Sequence, residues 1–102
     1  MNSIKDKEKD RYKIKKQFIY RKYKGEGLLV NRDQQDYPQS KRLPIFQLNE
    51  TGCVIIEQIK KGKTLEEIIF TLSKQYKISS SKAKKDINDF LKILRKAKIL
   101  EK

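Results

Sequence analysis

The side chains able to do chemistry are few in this 102-residue chain. There is no histidine and a single cysteine, Cys53. No Cys-x-x-Cys, glycine-rich phosphate loop or Ser/His/Asp set occurs. The close carboxylates are Glu66-Glu67 and Asp86/Asp89. Acid–base work needs a carboxyl whose pKa is raised by burial or by a like charge. Glu67 instead completes a capping box with Thr64, and Asp86 and Asp89 fall on an exposed helix side near lysines. Cys53 lies on the apolar side of a helix, with no histidine to activate it, and reads as a small buried residue. The chemistry points to a protein that is not an enzyme, with no cofactor and no metal.

Charge is the stronger signal. Lys and Arg number 26 against 13 Asp and Glu, a net +13. Such a balance favours an acidic partner: nucleic acid, an acidic peptide or an anionic membrane. Charged residues make up 38% and hydrophobic ones 36%, polar enough to imply a disordered segment. Apolar runs fall well short of the ~20 residues of a membrane helix. Met1 to Asp6 lacks the apolar core of a signal peptide. One cysteine cannot form an internal disulfide, and a cytoplasmic protein is expected.

The elements that position these groups follow from pattern. Residues 1–13 are charged and read as a basic mobile tail; residues 14–102 read as one domain. Phe18–Tyr23 and Leu28–Asn31 are rich in β-formers and suit a hairpin, with Lys24-Gly25-Glu26-Gly27 as its turn. Residues 32–42 are a long polar loop. Pro44 then opens a third strand that runs to Leu48. Asn49 is a good N-cap for a helix from Glu50 to Lys61, stopped by Gly62. Thr64 caps a second helix, and a third starts near Ser80 or Ser81 and runs to about Lys98. Ile99-Leu100 packs back on the core. The fold class expected is α+β: a three-stranded antiparallel sheet followed by three helices, like a winged helix-turn-helix.

The third helix has an apolar arc of roughly 160° at 100° per residue, wider than a surface helix needs. Ile93, beside Asp86 and Asp89, forms one edge. Leu91, beside Lys84, Arg95 and Lys98, forms the other. The arc is either all core or has one edge lining an exposed groove.

Two readings meet these elements. A DNA-binding winged helix would use the basic start of the third helix, Lys82, Lys84 and Lys85. The hairpin, however, precedes the first helix, whereas a DNA-binding wing usually follows the third. That strands-first order is the order of the PqqD family, and specific stretches match it. They are Gly27-Leu28-Leu29-Val30, the hinge Leu48-Asn49-Glu50-Thr51-Gly52 and Gly62-Lys63-Thr64-Leu65-Glu66-Glu67-Ile68. Tyr76-Lys77-Ile78, Asp86, Phe90-Leu91 and Leu94 to Leu100 complete the set. Over residues 18–100 the chain resembles this family of peptide-binding proteins. The basic tail, the 32–42 loop and Cys53, where the family usually has Ala, are departures.

The resemblance implies a RiPP recognition element, similar to the leader-binding proteins of lasso-peptide pathways. Such a domain binds the leader of a ribosomally made precursor peptide and presents it to a modifying enzyme, such as a radical SAM enzyme or a leader peptidase. The leader would add as a strand to strand 3. Carried onto this chain, the peptide site is Leu43, Pro44, Ile45, Phe46, Gln47 and Leu48. On the third helix it uses Lys84, Ile87, Asn88, Leu91 and Arg95, the Leu91 edge being chosen because its lysines suit an acidic leader. Phe46 and Leu48 are assigned to the core. Nucleic acid and membrane are disfavoured as partners.

Overall fold

The computed structural model describes residues 11–32 and 45–101. Strands β1 (Phe18–Tyr23), β2 (Glu26–Asn31) and β3 (Ile45–Leu48) are followed by helices α1 (Glu50–Lys60), α2 (Leu65–Tyr76) and α3 (Ser80–Lys96). The sheet is antiparallel in the order β1-β2-β3, which leaves β2 central. The α+β class and the order of elements are as the sequence implies. The long loop, Leu43 and Pro44 lie outside the described residues.

Each helix starts where its sequence supplies an acceptor for the orphan N–H groups of the first turn. Asn49 Oδ1 accepts from Gly52 N at 2.8 Å. Thr64 Oγ1 accepts from Glu67 N, and Glu67 Oε1 accepts from Thr64 N at 2.8 Å, the full capping box. Ser79 Oγ accepts from Lys82 N at 3.1 Å. Gly62, at φ +79°, takes the left-handed turn that ends α1.

The hairpin turns more tightly than the sequence suggests. Tyr23 pairs with Glu26, so Lys24 and Gly25 alone make the turn, both at positive φ. Gly27 is therefore a strand residue, and its role is packing. A Cβ there would stand 2.4 Å from Cys53 Sγ, closer than atoms can approach. β2 and α1 come together because Gly27 has no side chain.

Register assigns the faces. Phe18, Tyr20, Gly27, Leu29, Asn31, Phe46 and Leu48 share the face toward the helices. Leu29 and Leu48 are buried there with Ile55, Ile56 and Ile59 of α1 and Ile68 and Leu72 of α2. Ala83, Ile87, Leu91 and Leu94 of α3 close the core from the other side. Tyr20 links sheet to helix: its hydroxyl donates to Glu57 Oε2 at 2.7 Å, and Lys22 Nζ lies 3.7 Å from the same oxygen.

The N-terminal side corrects the sequence reading. Residues 11–13, expected in a mobile tail, are part of a strap that runs past the start of α2 and pairs, through residues 13–15, with the C-terminal segment. Arg11 bridges to Thr64 and Ile14 to Leu100. Glu101 N donates to Lys13 O at 2.9 Å, and Lys15 N donates to Ile99 O at 2.8 Å. The Arg95 guanidinium lies over the Tyr12 ring. Buried Ile99 and Leu100 give this strap something to pair with, which the charge pattern of residues 1–13 alone does not disclose.

Two outcomes follow from this packing. Gly27→Ala should cost about 1–3 kcal/mol by overpacking, and adding Cys53→Ala should recover part of that loss. A urea double-mutant cycle reads the coupling, and strictly additive losses would sink the close-approach account. Burial, helped by hydrogen bonds to Glu57 and Cys53, raises the Tyr20 phenol well above its ordinary pKa of 10.0. The stability it confers is complete below about pH 10 and is lost as pH rises toward the folded value. Tyr20→Phe should therefore show a shallower alkaline loss of stability than the parent in pH-dependent melts.

Candidate functional site

A strand edge, the hinge after it and one side of α3 make up the candidate site. The direction of the main-chain groups in β3 comes from the ladder. Arg32 N donates to Gln17 O at 2.8 Å, which makes 17 and 32 a hydrogen-bonded pair. Bonded pairs alternate along an antiparallel ladder. In β1 and β2 they are thus Ile19/Val30, Arg21/Leu28 and Tyr23/Glu26. The polar groups of Leu28 and Val30 face β1, so those of Gly27 and Leu29 face β3, where they meet Leu48 and Phe46. The N–H and C=O groups of Ile45 and Gln47 consequently point away from β2. β3 is the edge, and these are its outward groups.

The hinge sets what lies beside that edge. The strand passes to α1 through Asn49 alone, and Gly52 sits in the first turn. A Cβ on Gly52 would lie 3.3 Å from Phe90 Cε1 and 3.4 Å from Leu48 Cδ2. Phe90 of α3 therefore rests on the strand–helix hinge, and its side of α3 is the one that borders β3. One turn on, Ile93 is 49% exposed. Phe90, Asp86 and Ala97 of the same edge are half-buried.

The sequence-predicted site residues distribute unevenly. Phe46 is half-buried and Gln47 exposed, both on the edge strand, while Leu48 is core. On α3, Ile87 is fully buried and Leu91 is 1% exposed, so neither can line an accessible groove. Asn88 is half-buried; Lys84 and Arg95 are exposed. Arg95 is turned to Tyr12 of the strap, away from β3. Ile87 and Leu91 are thus core, and the accessible apolar positions beside the hinge are Phe90 and Ile93, which the sequence reading did not select. The reason is electrostatic. The lysines that favoured the Leu91 side are matched on the other side by ion pairs: Lys82–Asp86 at 3.3 Å and Lys85–Asp89 at 3.1 Å. Those i,i+4 pairs are legible in the sequence and mark an edge whose acids are already neutralised. They also occupy two of the cations a nucleic-acid reading needs at the start of α3.

The remaining carboxylate of interest is held in the charged form. The Thr64 N–H beside Glu67 keeps its carboxyl below the usual carboxylate range, the reverse of what a proton donor at neutral pH requires.

A scan against protein families matches residues 37–100 to "Coenzyme PQQ synthesis protein D (PqqD)". The chain belongs to the PqqD family. Among solved structures, it is similar to one described as "TbiB1 in Complex with the TbiA(beta) Leader Peptide". The match covers 87% of this chain and 94% of that one, with a TM-score of 0.74 and 24% identity, a likeness of fold. Comparison with curated proteins gives no match. The PqqD match takes in β3, the hinge and all three helices, the parts that build the edge and its border.

The two apolar residues of β3 should differ in their structural weight. Leu48→Ala should cost about 2–5 kcal/mol. Half-buried Phe46→Ala should cost less, about 1–2 kcal/mol, in urea titrations. Equal losses would show that Phe46 is as deeply packed as Leu48.

Proposed function

We propose that the protein is a RiPP recognition element. It binds the leader of a ribosomally made precursor peptide as an added strand on β3 and presents it to a modifying enzyme, such as a radical SAM enzyme or a leader peptidase. The observation that carries this reading is the pairing of two features. The main-chain groups of Ile45 and Gln47 point outward, and they do so beside the exposed apolar edge of α3 at Phe90 and Ile93. Main-chain bonds supply affinity to an extended peptide, and an apolar border supplies pockets for alternate side chains.

Membership of the PqqD family supports the reading, and so does a fold neighbour that carries a leader peptide in its own structure. The site moves from the Leu91 edge to the Phe90–Ile93 edge, with Gln47 as the central strand position. The protein acts by binding, with no reaction of its own. No helix among the described residues is long and apolar enough to cross a membrane.

Gln47→Pro is the sharpest test. Proline removes an outward N–H that β2 does not use, and the exposed Gln47 side chain packs on nothing essential. The variant should keep a melting temperature within a few degrees of the parent. It should lose affinity about tenfold or more for a labelled leader peptide that the parent binds. Ile93→Asp should weaken the same binding while sparing the fold. A folded Gln47→Pro variant with parental affinity would exclude strand addition at β3.

A further inference from the structure

The sheet has a second free edge. With β2 central, β1 is the outer strand on the side opposite β3. The ladder fixes its parity too. Ile19, Arg21 and Tyr23 are bonded to β2, so the main-chain groups of Phe18, Tyr20 and Lys22 point away from the sheet. The Phe18 N–H is used, donating to Lys15 O at 3.0 Å. The N–H and C=O groups of Tyr20 and Lys22 take no main-chain partner among the described residues. β1 runs for six residues against four in β3, so it is the longer template.

The side chains along this edge say what it could take. Residues 11–24 hold seven basic residues and no acidic one. Arg21 and Lys22 are exposed on the strand, and Lys24 follows in the turn. Lys22 has a counter-charge in Glu57 at 3.7 Å, an oxygen it shares with the Tyr20 hydroxyl. Arg21 has none among the described residues. The hairpin's one carboxylate, Glu26, lies across from Tyr23. Register puts Ile19, Arg21 and Tyr23 on the face away from the helices, with Leu28 and Val30 of β2 beside them. Tyr23 is 72% exposed there, although it is a large aromatic.

Charge at an edge has a simpler use, which is to keep copies of a chain from pairing. Antiparallel pairing of two β1 strands would bring the Arg21–Lys22 cations of both copies together, which is unfavourable. That use needs no exposed aromatic, whereas Tyr and Arg are the residues enriched where proteins meet partners. Unpaired main-chain groups select an extended backbone, and the cations select its sign.

We propose that the free edge of β1 receives an extended acidic segment of the partner enzyme as an added strand. Two consecutive carboxylates would lie beside Arg21 and Lys22, one on each face of the sheet, with apolar side chains beside Ile19 and Tyr23. The inference rests on the reading of this domain as one that presents a leader to an enzyme, and it names the surface the enzyme holds. The geometry has room for both. A strand on β1 and a leader on β3 would stand four strand spacings apart, roughly 19 Å. Neither covers the other's hydrogen-bonding groups, so the enzyme is held at one edge while the leader occupies the other.

The full-length Gln47→Pro variant, with its β3 edge closed, reads the β1 edge by itself. From a random peptide display library it should enrich two consecutive acids flanked by apolar or aromatic residues. Adding Lys22→Pro removes an outward N–H that β2 does not use. It should lower affinity for the enriched peptides about tenfold or more, with folding checked by the melting curve. Arg21→Glu leaves the backbone intact and decides the matter if the proline variant does not fold. In the Gln47→Pro background it should replace one acid of the enriched pattern by a basic residue. Undiminished affinity in a folded double-proline variant, or a pattern that Arg21→Glu leaves unchanged, overturns the proposal. So does the absence of enrichment by Gln47→Pro. The groove reading is tested separately, by peptides that the parent enriches and Gln47→Pro does not. If the two proteins enrich the same peptides, and these depend on Lys22, the groove reading fails and the β1 edge stands. A dimer in sedimentation velocity that Lys22→Pro abolishes would give the edge to a second copy and overturn the proposal.

Discussion

The close contact between the hinge and α3 is what the rest of this domain depends on. The chain passes from β3 to α1 through one residue, and Asn49 both ends the strand and caps the helix. Gly52 then leaves room for Phe90 to rest on the turn. A helix entered so abruptly has little freedom in direction. Its buried face, Cys53, Ile55, Ile56 and Ile59, is aimed at the sheet by that one geometry. Phe90 against the hinge fixes in turn which side of α3 borders the strand edge. Core and candidate site thus share a single point of support.

Most of the architecture was legible because its signals are local. Caps announce themselves by residue type: Asn49, Thr64 with Glu67, and Ser79 all do in the structure what their positions imply. The β-formers of the first two strands and the glycine stop at Gly62 belong to the same class. The failures are non-local. Gly27 looks like a turn residue and serves instead as a gap for Cys53. Residues 11–13 look like a charged tail, yet Arg11 bridges to Thr64 and Lys13 bonds to Glu101 after α3. Nothing within a few residues of either position carries that information.

The site illustrates the same divide. That strand 3 would have a free edge was an implication of the family resemblance, and the sheet order agrees with it. Which α3 edge would face it did not follow, because a helix with a wide apolar arc offers two. Charge pointed to Leu91, whereas packing buries Leu91 and puts Phe90 beside the hinge. A net count of lysines misleads when some of a helix's charges are already paired, as Lys82 with Asp86 and Lys85 with Asp89 are here. Parity in β3 likewise came from a hydrogen bond at the far end of the hairpin, between Arg32 and Gln17. The sequence of β3 does not contain it.

The strap has a kinetic consequence. Lys13 and Lys15 bond to Glu101 and Ile99, residues at opposite ends of the described chain. Closing so long a loop is entropically costly and is repaid only after the intervening elements have collapsed. The strap is therefore the last part of the domain to form and the first to open. During synthesis, the hairpin and the first two helices can assemble as they emerge. The clasp that joins beginning to end must wait until the residues after α3 have left the ribosome.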